Sequence, residues 1–167
     1  DLENKIIRCV GNPTERFTED ALRMMRAVRF SGQLGYEIEP ATAEAIKELA
    51  PTLSRISAER VCTELVKLMV SDHPEYFRKA YELGMTKVFM PEFDAAMETV
   101  QNNPHHCYNV GEHILHSLTH VRNDKVLRLT MLFHDLGKAC TRTTDEEGID
   151  HFHGHVEESA RIADDIM

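Results

Sequence analysis

Helical periodicity runs through nearly the whole chain of 167 residues and restricts its fold more than any other feature. Apolar residues recur at intervals of three and four, whereas half-buried strands would place them at every second position. The pattern is plain in the segments FTEDALRMMRAVRF, ISAERVCTELVKLM and KVLRLTMLFHDLG. We therefore predict an all-α fold. With 42% hydrophobic residues, the chain can form one ordinary core or two small helical subdomains.

Capping residues and prolines predict where the first three helices begin. Thr18 is the expected N-cap of the first helix, which places Glu19 and Asp20 at the positive end of the helix dipole. Pro40 fits the first turn of the second helix, and Ser57 fits the N-cap of the third.

The helical pattern breaks at SDHPE, so we divide the chain near residue 72. Residues 1–72 form the predicted N-terminal part and residues 73–167 the C-terminal part. In the second part, Pro91 and the NNP of residues 102–104 mark further breaks, TRTTDEEGID is a predicted polar loop, and a last helix begins at about Gly154. Because the chain starts at Asp and still has a helical pattern at its end, we expect it to be a piece of a longer protein.

Composition limits the classes of partner and compartment. The net charge of −9 disfavours long-range attraction to nucleic acid, so any RNA contact must be local. No apolar run reaches the roughly 20 residues that span a bilayer, and no signal peptide is evident, so we expect a cytoplasmic protein without a membrane partner. The cysteines lack CxxC spacing, which argues against a disulfide framework or a cysteine zinc site; they are Cys9, Cys62, Cys107 and Cys140.

Histidines are concentrated in the C-terminal part, around the segment LFHDLGKAC. There His134 and Asp135 follow an apolar run, and Gly137 is expected to end the helix. Two polar side chains at the end of a buried segment cost free energy unless something satisfies them. A divalent metal could do so, because imidazole and carboxylate are natural ligands. His113 on the preceding helix lies in a stretch of apolar neighbours, where an unpartnered imidazole would also be unfavourable. The alternative is an ordinary ion pair between Asp135 and Lys138 at the helix end.

A row of charged residues marks the first helix. Asp20 is followed at intervals of three by Arg23, Arg26 and Arg29, so their side chains can converge on one groove. Arginine suits bidentate contact with a base edge or a phosphate, while a solvated charged face is the alternative. A carboxylate beside a guanidinium presents an acceptor next to a donor, which complements the amino donor and ring acceptor of cytosine and adenine.

The histidine-rich part resembles a known family. The run EHILHSL, then LRLTMLFHDLGKA, then HFHGHVEESARIA is similar to the HD superfamily of helical, metal-dependent phosphohydrolases. The resemblance implies that His113, His134 and Asp135 hold a divalent transition metal, with His155 as an additional histidine. Two further histidines have a weaker claim: His151 and His153. The family's closing aspartate lies on a later helix, which this chain does not reach.

The N-terminal part resembles the neck of another family. The segment DLENKIIRCVGNPTERFTEDALRMMRAVRF contains the EDxxR neck motif of class II tRNA nucleotidyltransferases, the CCA-adding enzymes and their poly(A) polymerase relatives. The resemblance implies that Asp20 and Arg23 template the incoming CTP or ATP, that Arg26 and Arg29 accompany them, and that Glu19 braces Arg23. Three residues of ISAERVCTELVKLM are expected to support the neck instead: Glu59, Arg60 and Glu64. An HD-type body after a helical neck is the order found in bacterial members.

Three functions remain open from the sequence. The first is a segment of an enzyme that adds CCA to tRNA 3′ ends, with the catalytic head and its two Mg²⁺ ions expected before Asp1, and so with no residue here catalytic for nucleotide addition. The second is a metal-dependent HD phosphohydrolase acting on cyclic phosphates or nucleotides. The third is a non-catalytic helical scaffold that binds RNA or forms a homodimer. The sequence leaves open whether the parent adds CCA, CC, A or poly(A).

Overall fold

A computed structural model describes residues 1–102 and 108–167, so Cys107 and most of the NNP break fall outside the described residues. The described chain is helical, as predicted, apart from four strands of two residues each. Its contacts group into two compact units, Asp1–Phe89 and Met90–Met167. No helix among the described residues is long and apolar enough to cross a bilayer.

Six helices and one short sheet form the first unit. The helices are α1 (Pro13–Glu19), α2 (Leu22–Leu34), α3 (Pro40–Leu49), α4 (Ala58–Met69), α5 (Phe77–Glu82) and α6 (Thr86–Phe89), with 3-10 segments at Ala50–Arg55 and Pro74–Tyr76. The strands β1 (Ile6–Ile7) and β2 (Glu37–Ile38) pair in parallel, with Ile6 opposite Glu37 and Ile7 opposite Ile38.

The core of this unit lies mainly between α2 and α4. Both helices turn an apolar stripe inward, as their periodicity predicts. The buried residues of these stripes are Met24, Met25 and Val28 on α2, and Leu65, Leu68 and Met69 on α4. This packing fixes the start of α2 relative to the first turn of α4.

The predicted first helix is two helices. Asn12, rather than Thr18, is the N-cap of α1, and its side chain accepts the N–H of Thr14 at 3.0 Å. The chain then breaks after Glu19, because Asp20 Oδ1 accepts the N–H of Leu22 at 3.1 Å and so supports a new start. Asp20 therefore lies at the junction of α1 and α2, not inside a first turn.

The next two starts agree with their predicted positions. Pro40 is the first residue of α3, where its missing N–H costs nothing. Ser57 occupies the N-cap position of α4, although its side chain makes no capping hydrogen bond.

The boundary between the units lies after Phe89 and so differs from the one predicted near residue 72. The segment SDHPE is a turn within the first unit, where the N–H of His73 donates to the carbonyl of Gly32 at 3.2 Å. Phe77, which follows this turn, is fully buried. A proline in a turn breaks periodicity without ending a core, which is why the two boundaries differ.

The described residues of the second unit form five helices and a hairpin. The helices are α7 (Pro91–Glu98), α8 (Val110–Thr119), α9 (Lys125–Phe133), α10 (Lys138–Thr141) and α11 (His155–Ile166). Asn109 caps α8 by accepting the N–H of Glu112 at 2.7 Å, and Asp124 caps α9 by accepting that of Leu127 at 3.0 Å. The helix α11 begins next to Gly154, as predicted.

The segment predicted as a polar loop is a β-hairpin. Its strands β3 (Thr143–Thr144) and β4 (Asp150–His151) are antiparallel. Asp145 shapes the turn by accepting the N–H groups of Glu147 at 3.0 Å and Ile149 at 2.8 Å. Strands of two polar residues give no alternating pattern, so periodicity could not reveal them.

A buried aspartate fastens this hairpin. Asp150 accepts hydrogen bonds from Arg142 at 2.9 Å, from the backbone N–H of Asn102 at 2.7 Å and from Thr144 at 2.7 Å. The hydrogen bond from Arg142, supported by the other two, lowers the pKa of Asp150 to about 2. The hairpin is thereby tied to the segment that precedes α8.

Candidate functional site

Three of the predicted metal ligands come together in the second unit. His113 lies on α8, while His134 is the C-cap of α9 and Asp135 follows it. The ligand atoms of all three lie within 4.8 Å of one another. The two Nε2 atoms are 3.4 Å apart, and Asp135 Oδ2 lies 3.5 Å from that of His113 and 3.4 Å from that of His134. The carboxylate is almost completely buried.

Backbone hydrogen bonds orient two of the imidazoles. His134 Nδ1 lies 2.8 Å from the carbonyl of Met131, and His155 Nδ1 lies 2.7 Å from that of Phe152. A carbonyl only accepts, so each Nδ1 carries the proton and each neutral ring keeps a lone pair on Nε2. His155 Nε2 is 3.7 Å from Asp135 Oδ1. The free Nε2 atoms of His134 and His155 and the Asp135 carboxylate therefore form a donor set that could hold a metal.

A lysine also reaches the cluster, as the alternative interpretation of the sequence predicted. Lys138 Nζ donates to Asp135 Oδ2 at 2.8 Å and to Gln101 Oε1 at 3.1 Å, and both partners are buried. The ion pair and the histidine cluster therefore share one carboxylate. An ammonium group so close to Oδ2 competes with a metal for that oxygen.

Gly137 has a different role from the helix stop that the sequence suggested. The helix α9 already ends at Phe133, and the φ angle of Gly137 is −65°, which any residue can adopt. A Cβ atom here would lie 2.4 Å from the carbonyl oxygen of His155 and 2.7 Å from the backbone nitrogen of Ser159. The N–H of Gly137 also donates to Ser159 Oγ at 2.9 Å. The glycine thus allows α11 to approach and brings His155 to the cluster.

The weaker histidine candidates lie elsewhere. His151 Nε2 is hydrogen bonded to Asp145 at 2.8 Å, and its ring stacks on that of His153. The rings of His116 and His120, which share the face of α8 predicted for His113, stack on each other with centroids 4.2 Å apart.

The cluster opens onto a cavity of about 560 Å³ between α9 and α11. His134, Asp135 and His155 line one part of it, and the rest is mainly apolar, including Phe133 and Val156. This volume lies within the range of small-molecule sites.

The second group of candidates lies in the first unit, where Glu19 contacts Arg23 as expected. Arg23 Nη1 donates to Glu19 Oε2 at 2.5 Å and to the carbonyl of Arg16 at 2.8 Å. Arg16 Nη1 lies 2.6 Å from the same Glu19 oxygen. The hydrogen bond from Arg23 lowers the pKa of the Glu19 carboxyl. Arg23 is therefore held at the end of α1.

Asp20 has another partner, which the spacing did not predict. Its Oδ2 accepts from Arg60 Nη2 at 3.1 Å, while Oδ1 accepts the N–H of Leu22. Asp20 and Arg60 line a cavity of about 570 Å³, whereas Arg23 lines a separate cavity of about 200 Å³. The sequence suggested a direct pair of Asp20 and Arg23, but each side chain has its own anchor. Arg60 is 40 residues from Asp20, so no local signal could reveal the contact.

The row of arginines also diverges. Each step of three residues turns about 60° around a helix, so Arg29 points well away from Arg23. Arg29 Nε lies 2.6 Å from Glu64 Oε2, and their side chains are only 12% and 5% exposed. Arg26 lines the smaller cavity with Arg23 and lies 3.8 Å from the other Glu64 oxygen. Arg29 therefore packs against α4 through Glu64, and its nucleotide contact stays a prediction.

Known proteins match both the sequence and the fold. Residues 35–97 match the family model described as the probable RNA and SrmB-binding site of polymerase A. The CCA-adding enzyme of Limosilactobacillus reuteri is 54% identical over 74 residues, which cover 44% of this chain and 18% of the relative. That of Pediococcus pentosaceus is 57% identical over 74 residues, covering 44% and 19%. That of Lactobacillus helveticus is 43% identical over 107 residues, covering 62% and 26%.

A solved structure of a CCA-adding enzyme is similar in fold to nearly the full chain. The crystal structure of the Bacillus stearothermophilus CCA-adding enzyme in complex with CTP superposes with a TM-score of 0.60 and 27% sequence identity, covering 99% of this chain and 37% of that one. The chain therefore spans only a minor part of the relatives that it matches. In sequence and in fold, the chain is thus similar to a part of the CCA-adding enzymes, which are tRNA nucleotidyltransferases.

Proposed function

We propose that this chain supplies nucleotide-base recognition in an enzyme that adds CCA to the 3′ ends of tRNA from CTP and ATP. The observation that carries the proposal is the α1–α2 junction, where Asp20 and Arg23 are anchored separately and each lines an open cavity. The similarity to a CCA-adding enzyme solved with CTP supports it.

Both anchored side chains keep hydrogen-bonding capacity. A carboxylate has about four lone-pair positions, and the described bonds of Asp20 use two of them. The described bonds of Arg23 use Nη1 alone. Phe17 lines both cavities, and we propose that a cytosine or adenine beside it donates from its amino group to Asp20 and accepts at a ring nitrogen from Arg23. Uracil and guanine present the opposite order of donor and acceptor on that edge.

The candidate metal cluster among the described residues does not suit the metal ions of nucleotide addition. Phosphoryl transfer uses Mg²⁺, which prefers six oxygen ligands. The candidate cluster within the described residues supplies mainly imidazole nitrogen, which suits transition metals instead. We therefore propose that a polymerising head outside this chain carries that chemistry.

Titration of the isotope-labelled chain with the four nucleoside triphosphates, followed by NMR, tests base recognition. We expect CTP and ATP to shift the amide signals around Asp20 and Arg23 at lower concentrations than UTP and GTP. Asp20→Asn and Arg23→Ala should remove the preference, while the control Arg161→Ala, an exposed arginine of the second unit, should retain it. An equal response to all four nucleotides would refute the proposal.

A second activity is supported by the histidine cluster. We propose that His113, His134, Asp135 and His155 hold a divalent transition metal for hydrolysis of a cyclic phosphate or a nucleotide. When bound, such a metal lowers the pKa of its water and stabilises charge on a phosphoester. The adjoining cavity, with its apolar wall, has room for the organic part of that substrate.

Metal analysis of the purified chain tests the second activity. His134→Ala should lose the metal and the hydrolysis of cyclic phosphates, whereas the control His151→Ala, which alters a histidine outside the cluster, should keep both. Metal content and stability that are unchanged in His134→Ala would favour a packing role.

Binding of the tRNA 3′ end belongs to the first proposal, and a homodimer and a cytoplasmic location stay predictions.

A further inference from the structure

We infer that Arg60 is a positioning residue that holds the Asp20 carboxylate in the orientation that reads the base. The inference rests on the proposed base recognition and adds to it a residue that the sequence placed only in the support of the neck. Arg60 lies in the first turn of α4, where its N–H donates to the carbonyl of Ser57 at 3.0 Å.

Two hydrogen bonds orient the Asp20 carboxylate, one to each of its oxygens. The backbone N–H of Leu22 donates to Oδ1 and Arg60 Nη2 donates to Oδ2, each at 3.1 Å. With one bond, the carboxylate could still rotate about the bond to its Cβ atom or exchange its second oxygen with water. With both bonds, the lone pairs that remain have set directions, which is the preorganisation that a base-reading acceptor requires.

The helix that carries Arg60 is itself held in place. Its buried face packs against α2, the helix that begins beside Asp20. Arg60 therefore ties the Asp20 side chain to a helix whose own position is fixed by packing. Spacing along α2 alone could not supply this second anchor.

The ion pair of Arg60 and Asp20 contributes little to folding stability, because both side chains are partly exposed. The side chains of Arg60 and Asp20 are 49% and 27% exposed, and pairs this open contribute little to folding stability. Loss of Arg60 should therefore disturb base selection more than it disturbs the fold. Arg55 offers a matched control, because it lines the same cavity and the described bonds of Asp20 do not involve it.

Binding of CTP and UTP to the full chain, measured by NMR titration beside thermal unfolding, tests the inference. In Arg60→Gln we expect the preference for CTP over UTP to fall about tenfold, as for one lost charge-assisted hydrogen bond, at an unchanged unfolding temperature. Arg60→Lys should restore part of the preference because it keeps the charge. Arg55→Gln should leave the preference intact.

Three outcomes separate this inference from the function on which it rests. If Asp20→Asn loses the preference and Arg60→Gln keeps it, the positioning role is wrong and base reading by Asp20 stands. If Arg60→Gln weakens both nucleotides equally and lowers the unfolding temperature, Arg60 is structural and the inference is overturned. If the unmodified chain has no preference, the proposed function itself fails.

Discussion

Substitution of Gly137 by alanine is the sharpest test of how the histidine cluster is assembled. The new Cβ would lie 2.4 Å from the His155 carbonyl oxygen and 2.7 Å from the Ser159 nitrogen. Both are backbone atoms, so no side-chain rotation relieves the contact. Ordinary contact begins at 3.4 Å, so the start of α11 must retreat by about 1 Å, the difference between 3.4 and 2.4 Å.

That retreat has two costs. Overpacking in a closely packed region typically costs about 1 to 3 kcal/mol. The bond from the Gly137 N–H to Ser159 Oγ, now 2.9 Å, would lengthen and lose about 1 kcal/mol more. We therefore expect Gly137→Ala to lower the free energy of unfolding by about 2 to 4 kcal/mol. Since His155 begins α11, the variant should also bind a divalent transition metal more weakly.

Urea unfolding and metal titration measure the two effects. Ser159→Ala is the matched control, because it removes the same hydrogen bond without adding a clashing atom, and it should cost only about 1 kcal/mol. A Gly137→Ala chain with unfolding free energy and metal affinity equal to those of the unmodified chain would refute the close-approach argument.

Three further predictions concern single charged groups. The pKa of Asp150 is about 2 in the folded chain, below its ordinary value of 3.8, so its stabilising effect is complete above about pH 4 and is lost as the pH falls through 2. Acid unfolding monitored by circular dichroism should show this dependence, and Asp150→Asn should remove it. Glu64→Gln leaves Arg29 with an uncompensated charge in a nearly buried position and should cost about 3 kcal/mol in urea unfolding, whereas no loss would show that the pair is dispensable. Lys138→Met removes the ammonium group from Asp135 and should tighten binding of a divalent transition metal about tenfold by calorimetry, whereas weaker binding would make the lysine a supporting group.

Local patterns predicted much of the fold because helices are local structures. The starts at Pro40 and Ser57 agree with the structure since each depends on a few neighbouring residues. The break between α1 and α2 escaped prediction, because the apolar periodicity continues across it. At the break the backbone of Asp20 is extended, and its side chain accepts the N–H of Leu22. The hairpin was missed since its strands are too short to alternate.

In the candidate sites, too, the local features could be predicted from the sequence and the distant contacts could not. His134 and Asp135 are neighbours in sequence, so an adjacent pair after an apolar run was sufficient to find them. Gln101, which accepts from Lys138, is 37 residues away from it, and Arg60 is 40 residues from Asp20. Such contacts depend on how helices pack, and the spacing of residues within one segment does not reveal that packing.

Each candidate site contains a carboxylate paired with a cationic side chain, Asp20 with Arg60 and Asp135 with Lys138. The two cations should have opposite effects on ligand binding. Asp20 is partly exposed, and Arg60 uses one of its lone pairs while others remain for a base. Loss of Arg60 should therefore weaken ligand binding. Asp135 is buried, and its Oδ2 already has the Lys138 ammonium at 2.8 Å and an imidazole nitrogen at 3.4 Å. A metal there must displace or repel that ammonium, so loss of Lys138 should strengthen binding. If removal of the cation weakens ligand binding, as we expect at Asp20, the cation and the ligand bind the carboxylate together. If removal strengthens ligand binding, as we expect at Asp135, the cation and the ligand compete for the carboxylate.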